Sequence, residues 1–183
     1  MKLIILDRDG VINQDSDTYI KHPDEWQPIE GSLEAIARLS RAGYRVFVAT
    51  NQSGLARGLF DIETLNQIHQ KMVNAVQQVG GHIEGIFFCP HGPDEGCSCR
   101  KPATGLYEMI AQRSQSPLSD VPIVGDSLRD LQAAQKVGAQ PILVLTGNGQ
   151  KTIKQLSGKL TETPIFRDLN SFALLLINEM EQP

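Results

Sequence analysis

Short apolar runs recur along the chain, and each is followed by a stretch with helical periodicity. The runs are four or five residues long, rich in Val, Ile and Phe, and apolar nearly throughout, which is typical of strands covered on both faces of a parallel sheet. They are Leu3–Leu6, Arg45–Ala49, Gly85–Phe88, Val121–Val124 and Pro141–Leu145. A weaker strand is predicted at Ile165–Phe166.

Amphipathic helices are predicted between these runs. Apolar residues spaced three or four apart form one stripe per segment, Gly43 and Gly80 act as stop signals, and Asp61 stands in the N-cap position of the longest stripe. The predicted helices cover Ser32–Ala42, 62–79, Thr104–Ser114, Ser127–Val137 and Asn170–Glu179. Alternating strands and helices predict an α/β fold with a doubly wound, mostly parallel sheet.

We expect one domain over residues 1–183. The intervals 11–30 and 54–61 are too short to hold a large cap domain, so any substrate selection is expected to come from loops. A loop at about 89–101 interrupts the alternation of strands and helices and is predicted to be an insertion that binds a metal.

Polar residues follow the first four predicted strands, at the point where each strand ends. These strands run into Asp7-Arg8-Asp9, Thr50-Asn51-Gln52, Cys89-Pro90-His91 and Gly125-Asp126-Ser127. Ligands of doubly wound sheets bind beyond the carboxyl ends of the strands. The pattern therefore predicts one site at this edge of the sheet.

The predicted site has the groups that phosphoryl transfer needs. Asp7 and Asp9 share one face of an extended chain, and their mutual repulsion, together with Asp126, favours a bound Mg²⁺. Asp7 is predicted to be the nucleophile and Asp9 the general acid and base. Lys101 and the Thr50 hydroxyl are predicted to stabilise the transferring phosphoryl group.

The three cysteines of the chain lie between positions 89 and 99, too close together and too few for a disulfide framework. Cys89, His91, Cys97 and Cys99 supply three thiolates and one imidazole, which suit a closed, structural Zn²⁺ site. Lys101 follows directly after this loop, so we expect the zinc to position it.

Taken together, DRDG (7–10), Thr50, Lys101 and GDSLRD (125–130) resemble the motifs of the haloacid dehalogenase-like phosphatase superfamily. The resemblance implies Asp7 as nucleophile, Asp9 as acid and base, and Mg²⁺ on Asp7, Asp126 and the main-chain carbonyl of Asp9. It also implies that Asp130 supports the metal ligands. Many members of the superfamily have Thr where this chain has Val11.

DRDGVIN, TNQSG, the Cys/His cluster and CRKP are similar to the histidinol-phosphate and heptose-bisphosphate phosphatase branch. The branch implies a phosphorylated sugar as substrate, with loss of the 7-phosphate of a heptose 1,7-bisphosphate in lipopolysaccharide-precursor synthesis. Arg100 fits a second phosphate because a guanidinium can donate two parallel hydrogen bonds. The expected substrate-binding residues are Asp15, Ser16, Asp17, Thr18, Tyr19, Asn51, Gln52, Ser53, Arg57 and Arg100.

Composition narrows the alternatives. The formal net charge of −4 and the aromatic content of 5% argue against polynucleotide 3′-phosphatase activity and against nucleic-acid partners in general. No stretch approaches the ~20 apolar residues of a membrane span, and we expect a cytoplasmic monomer. Histidinol phosphate remains an alternative substrate, because the carboxylates of Asp15 and Asp17 could bind its ammonium group. The other alternative is a zinc-stabilised binding module without enzymatic activity, in which Asp7 and Asp9 would have no role.

Overall fold

The computed structural model describes residues 2–181, and within them six strands form one parallel sheet. The sheet order is β3-β2-β1-β4-β5-β6, so the first strand of the chain lies near the centre. The strands are β1 (Leu3–Leu6), β2 (Arg45–Asn51), β3 (Gly85–Cys89), β4 (Pro122–Gly125), β5 (Gln140–Val144) and β6 (Ile165–Phe166). The predicted doubly wound α/β fold is confirmed.

In the described part of the chain, six α-helices connect and cover these strands. They are α1 (Ser32–Arg41), α2 (Ile62–Gln78), α3 (Gly105–Ser114), α4 (Leu128–Lys136), α5 (Gly149–Thr152) and α6 (Leu169–Glu181). The predicted N-cap of α2 is confirmed, because the Asp61 carboxylate accepts a hydrogen bond from the Thr64 amide at 2.8 Å. Short 3-10 turns lie at Pro23–Glu25, Ile153–Gln155 and Gly158–Glu162.

Some boundaries differ from the predicted ones. β2 runs two residues beyond Ala49 because Thr50 and Asn51 pair with Phe88 and Cys89 of β3. β4 and β5 are shifted by one residue, and α5 with its following 3-10 turns was not predicted.

The core has one layer on each face of the sheet. Ile4 and Leu6 of β1 pack into one cluster of buried apolar residues, and Leu3 and Ile5 pack into the other. This alternation follows from the pleat, which sends successive side chains to opposite faces. Both faces of β1 are therefore buried, and the residues after Leu6 emerge from a rigid centre. Within the described part of the chain, no helix is long and apolar enough to cross a bilayer.

Candidate active site

The carboxyl ends of the strands open into a cleft of about 250 Å³. The residues predicted to act in catalysis line this cleft, as do Asp126 and the predicted substrate-binding residues other than Thr18. Thr18 is exposed beside it, with its hydroxyl 3.1 Å from Ser16 Oγ. Arg8, Ile20 and Arg129 also line the cleft and were not predicted to do so.

Lys101 lies between two buried carboxylates. Its Nζ is 3.0 Å from Asp7 Oδ1 and 2.5 Å from Asp130 Oδ1, and it donates to the carbonyl of Ala49 at 2.8 Å. Burial alone would lower the pKa of Lys101, but the charges of Asp130 and Asp7 raise it above its ordinary value. The lysine is therefore cationic, and one of the two carboxylates that it contacts, Asp7, is the predicted nucleophile.

Three carboxylates cluster at the same place. One oxygen from each of Asp7, Asp126 and Asp130 lies within 4.8 Å of the others. Burial raises the pKa of Asp7 to about 7 despite the opposing charge of Lys101, and burial with the charges of Asp130 and Asp7 raises the pKa of Asp126 to about 8. A hard cation with oxygen ligands would offset this repulsion, so the donor set fits Mg²⁺.

Two glycines make room for the Asp126 carboxylate. Gly10 has φ +80°, and a Cβ there would lie 2.1 Å from Asp126 Oδ2. A Cβ on Gly147 would lie 2.2 Å from the same oxygen. Any larger residue would displace Asp126 from the cluster, which explains glycine at both positions.

Asp9 lies on the wall of the cleft and is held by four donors. Arg8 Nε and Nη2 donate to Oδ1 at 3.1 and 2.9 Å, Asn13 Nδ2 donates to Oδ1 at 2.9 Å, and Gln52 Nε2 donates to Oδ2 at 2.9 Å. Burial would raise the pKa of Asp9, but the charge of Arg8 and these hydrogen bonds lower it. Asp9 is therefore ionised at neutral pH, with donors on both of its oxygens.

The end of β2 supports the other side of the cleft. Thr50 is buried, and its Oγ1 accepts a hydrogen bond from Gln52 Nε2 at 2.9 Å. The Asn51 side chain donates to the Lys101 carbonyl and accepts from the Lys101 amide, both at 3.1 Å. Asn51 thus fixes the backbone of Lys101, a role that the sequence did not indicate.

The rim of the cleft has its own contacts. The Arg57 guanidinium lies 5.9 Å from the centre of the Tyr19 ring, a cation–π geometry that orders both side chains. Arg100 Nη1 donates to the carbonyl of His91 at 3.2 Å, so the cysteine loop orients Arg100.

The segment after β5 contributes residues that sequence reasoning missed. The main-chain N–H of Asn148 donates to Asp126 Oδ2 at 2.7 Å, and the side-chain Nδ2 of Asn148 donates to Asp15 Oδ2 at 2.8 Å. Thr146 Oγ1 donates to the Gly10 carbonyl at 2.6 Å, and Thr152 Oγ1 donates to the Asp126 carbonyl at 2.8 Å. Their position after a fifth strand end was the signal that could have identified them.

Cys89, His91, Cys97 and Cys99 converge as the spacing predicted. Cys99 Sγ is 3.1 Å from Cys89 Sγ, 3.6 Å from Cys97 Sγ and 3.3 Å from His91 Nδ1. A tetrahedral zinc ion with Zn–S bonds of about 2.3 Å separates its sulfur ligands by about 3.8 Å. The thiols are not joined by disulfides, and the donor set fits Zn²⁺.

Comparisons with known proteins agree with this geometry. Residues 98–171 match the family of HAD-hydrolase-like proteins. The chain is 60% identical over 180 residues to the D-glycero-beta-D-manno-heptose-1,7-bisphosphate 7-phosphatase of Bordetella bronchiseptica, an alignment that covers 98% of this chain and 99% of the relative. It is 54% identical over 177 residues to the enzyme of the same name from Pseudomonas putida, covering 97% and 100%.

Two solved structures have the same fold. The D,D-heptose 1,7-bisphosphate phosphatase of B. bronchiseptica, crystallised with magnesium and phosphate, aligns with a TM-score of 0.94 at 59% identity over 98% of this chain and 99% of its own. The corresponding enzyme of Burkholderia thailandensis aligns with a TM-score of 0.76 at 49% identity, over 97% and 99%. With the site geometry and these relatives, the chain belongs to the haloacid dehalogenase-like phosphatases, in the branch of the heptose-bisphosphate phosphatases.

Proposed function

We propose that this chain is a magnesium-dependent phosphatase that removes the 7-phosphate of D-glycero-β-D-manno-heptose 1,7-bisphosphate through an aspartyl-phosphate on Asp7. The observation that carries the proposal is the buried contact of Asp7 with Lys101 in a cleft that Asp9 also lines. The relatives from B. bronchiseptica and P. putida, which bear the name of this reaction, support the substrate and its β anomer.

The first step transfers the phosphoryl group to Asp7. A carboxylate oxygen of Asp7 forms a bond to phosphorus while the bond from phosphorus to the 7-oxygen of the sugar breaks. That oxygen belongs to a primary alcohol and leaves with a proton from Asp9. The negative substrate phosphate beside Asp9 raises its pKa, which favours the protonated form when substrate is bound.

The second step releases phosphate. A water oxygen attacks the phosphorus of the aspartyl-phosphate, the bond from phosphorus to Asp7 breaks, and Asp9 takes a proton from the water. Lys101 stabilises negative charge on the phosphoryl oxygens in both steps, and the Thr50 hydroxyl can donate to them. Asp9 has then regained its proton and Asp7 is a free carboxylate.

Asp7, Asp126 and the main-chain carbonyl of Asp9 would hold Mg²⁺, and Asp130 would support them. When bound, the ion neutralises charge on phosphate oxygens. The cluster of carboxylates within 4.8 Å supports this assignment, and so does the magnesium in the crystals of the B. bronchiseptica enzyme.

The cationic rim supports a bisphosphate substrate. Arg57, Arg100 and Arg129 line the same cleft as Lys101, and a guanidinium can bind a phosphate through two parallel hydrogen bonds. We assign the 1-phosphate to this rim and the sugar hydroxyls to the loop from Asp15 to Tyr19.

The cysteine loop is assigned a structural Zn²⁺ on Cys89, His91, Cys97 and Cys99. In this proposal residues 1–183 act as one phosphatase domain with the zinc loop as an insertion at about 89–101. The contact from Arg100 to the His91 carbonyl supports a loop that orients the residues following it.

The test is phosphate release from the β and α anomers of heptose 1,7-bisphosphate and from histidinol phosphate, with Mg²⁺ present. We expect preference for the β anomer, with phosphorus NMR showing that the 1-phosphate is retained. Asp7→Asn should lower kcat by at least ~10³-fold, because it removes the covalent nucleophile. Asp24→Asn changes an exposed carboxylate and serves as the matched control.

Each outcome distinguishes a different part of the proposal. Preference for histidinol phosphate, with activity lost in Asp7→Asn, would keep the mechanism and reject the substrate. Unchanged activity in Asp7→Asn on all three compounds would reject the nucleophile itself.

A further inference from the structure

Arg8 separates the two aspartates in the chain, and its charged side chain is only 1% exposed. One edge of its guanidinium faces Asp9: Nε is 3.1 Å from Oδ1, and Nη2 is 2.9 Å from Oδ1 and 3.0 Å from Oδ2. On the other edge, Nη1 lies 3.2 Å from Nε2 of His69. The proposed mechanism so far gives neither Arg8 nor His69 a role.

His69 is a buried side chain of α2, 61 residues away from Arg8 in the chain. Burial and, next, the charge of Arg8 lower the pKa of His69 to about 3, so the ring is neutral at physiological pH. Its Nε2 can then accept the hydrogen bond from Arg8 Nη1. The Phe88 ring packs near the imidazole with centroids 6.0 Å apart, which limits rotation of the ring.

These contacts constrain Asp9 through Arg8. A guanidinium is planar and presents its donors in a rigid fork, so fixing its plane also fixes the carboxylate that pairs with it. Asn13 and Gln52 donate to Asp9 from other directions. His69 therefore anchors Arg8 from outside the cleft, and Arg8 anchors Asp9 within it.

We propose that Arg8, anchored by His69, is a positioning residue that orients the Asp9 carboxyl for proton transfer to the leaving oxygen. The inference rests on the proposed function, because it requires Asp9 to be the acid of the first step. The role of Arg8 is exerted through Asp9: the proton moves from the Asp9 carboxyl to the sugar oxygen as the phosphorus–oxygen bond breaks.

This role can be tested by comparing substrates whose leaving groups differ in their need for a proton. An alkoxide is a poor leaving group and needs the proton, whereas p-nitrophenolate leaves readily without it. A misdirected Asp9 should therefore impair alkyl phosphates far more than p-nitrophenyl phosphate. The ratio kcat/KM isolates this step, because it includes events only up to the release of the alcohol or phenol and excludes the later hydrolysis of the aspartyl-phosphate.

The experiment compares kcat/KM for the heptose bisphosphate and p-nitrophenyl phosphate. We expect Arg8→Met to lower the first value by ~100-fold and the second by less than ~5-fold, in line with the contribution of general acid catalysis. Arg8→Lys keeps the charge without the fork and should show the same pattern to a smaller degree. His69→Leu should share the pattern, and His69→Gln, which retains an acceptor, should restore activity.

Two controls separate the inference from the function on which it rests. Arg45→Met removes an arginine that pairs with Glu84 at 2.8 Å at the opposite end of the sheet, and should change neither value. Asp9→Asn should show the same leaving-group pattern as Arg8→Met, with a larger effect.

Equal losses on both substrates in the Arg8 and His69 variants would overturn the positioning role and leave the proposed function intact. An Asp9→Asn enzyme without leaving-group dependence would instead reject Asp9 as the acid. If Arg8→Met does not fold, Arg8→Lys and the His69 pair decide the question by the same ratio.

Discussion

Several side chains in this site form hydrogen bonds or ion pairs with more than one neighbouring residue. Asp130 accepts hydrogen bonds from the Ser127 amide and hydroxyl through Oδ2, which caps α4, and pairs with Lys101 through Oδ1. Removing one partner of a buried ion pair leaves the other charge unpaired in a medium of low polarity. The effects of substituting such residues are therefore expected to be strongly non-additive.

Asn148 is expected to tune magnesium binding. Its side chain bridges Asp126 and Asp15, so Asn148→Ala should release Asp15 and leave Asp126 bound only to the main-chain amide of residue 148. We expect the magnesium concentration for half-maximal activity to rise by ~10-fold, the effect typical of residues that orient metal ligands. As a control, Asn74→Ala removes an amide that accepts a hydrogen bond from Gln70 on the exposed face of α2, and it should not change the magnesium requirement. An unchanged magnesium requirement in Asn148→Ala would contradict this role.

At this scale the sequence identified the residues that follow strands and missed those that depend on distant packing. Asp7 and Asp126 were found because they follow apolar runs. Arg8 was not, since a charged residue is usually solvated, and its burial depends on His69 in another helix. Asn148 also follows a strand, but its contact with Asp15 joins residues 133 positions apart.

Among the elements, β2 and the cysteine loop act together on Lys101. Asn51, the last residue of β2, binds both backbone groups of Lys101, and Cys99 precedes that lysine by two residues. The lysine backbone is thus held from two sides, by the sheet and by the proposed zinc site. Cys97 lies outside the sheet, so the zinc site can be disrupted there without substituting a strand residue.

Loss of zinc should disorder the cysteine loop, although Asp7, Asp9 and Lys101 themselves are unchanged. We expect Cys97→Ser to lose bound zinc, as measured by elemental analysis, and to lower kcat/KM by ~10-fold or more because Lys101 and Arg100 are less well positioned. Ser98→Ala changes the exposed neighbour in the same loop and should retain zinc and activity. Full activity in a zinc-free Cys97→Ser enzyme would refute the positioning role of the metal.

The periodicity of the chain predicted the long elements well and the short ones poorly. Helix α2 has seventeen residues and repeats its apolar stripe several times, so its pattern is unambiguous. Helix α5 has four residues, fewer than two turns, and no stripe can be recognised in it. The extension of β2 through Asn51 depends on pairing with β3, which a local pattern cannot reveal.

For the molecule as a whole, the charge distribution matters more than the net charge of −4. Three carboxylates converge where Lys101 is the cation paired with two of them. Such crowding of like charges opposes folding and is retained where a site needs it. The proposed magnesium would thus contribute to the stability of the entire fold.

Magnesium should raise the melting temperature of the whole protein. Each tenfold increase above the dissociation constant adds about 1.4 kcal/mol to the free energy of unfolding, which differential scanning calorimetry can follow. Burial and the neighbouring carboxylates raise the pKa of Asp126 to about 8, so the comparison is made above that pH, where the group is ionised. Without magnesium, Asp126→Asn should then unfold at a higher temperature than the wild type because it removes one of the repelling charges, and it should respond less to the ion. Sodium chloride at matched ionic strength is the control; an equal shift with it would indicate screening alone.

The central position of β1 in the sheet also determines when a nascent chain can complete its catalytic site. The strand that bears Asp7 is synthesised first, but one of its two neighbours, β4, comes from residues 122–125. Asp126 is made 119 residues after Asp7, which at ribosomal rates of 5–20 residues per second corresponds to about 6–24 s. During that interval the growing polypeptide has its nucleophile without Asp126, the third of the proposed metal ligands, so we expect activity to begin only when the second half of the sheet pairs with the first.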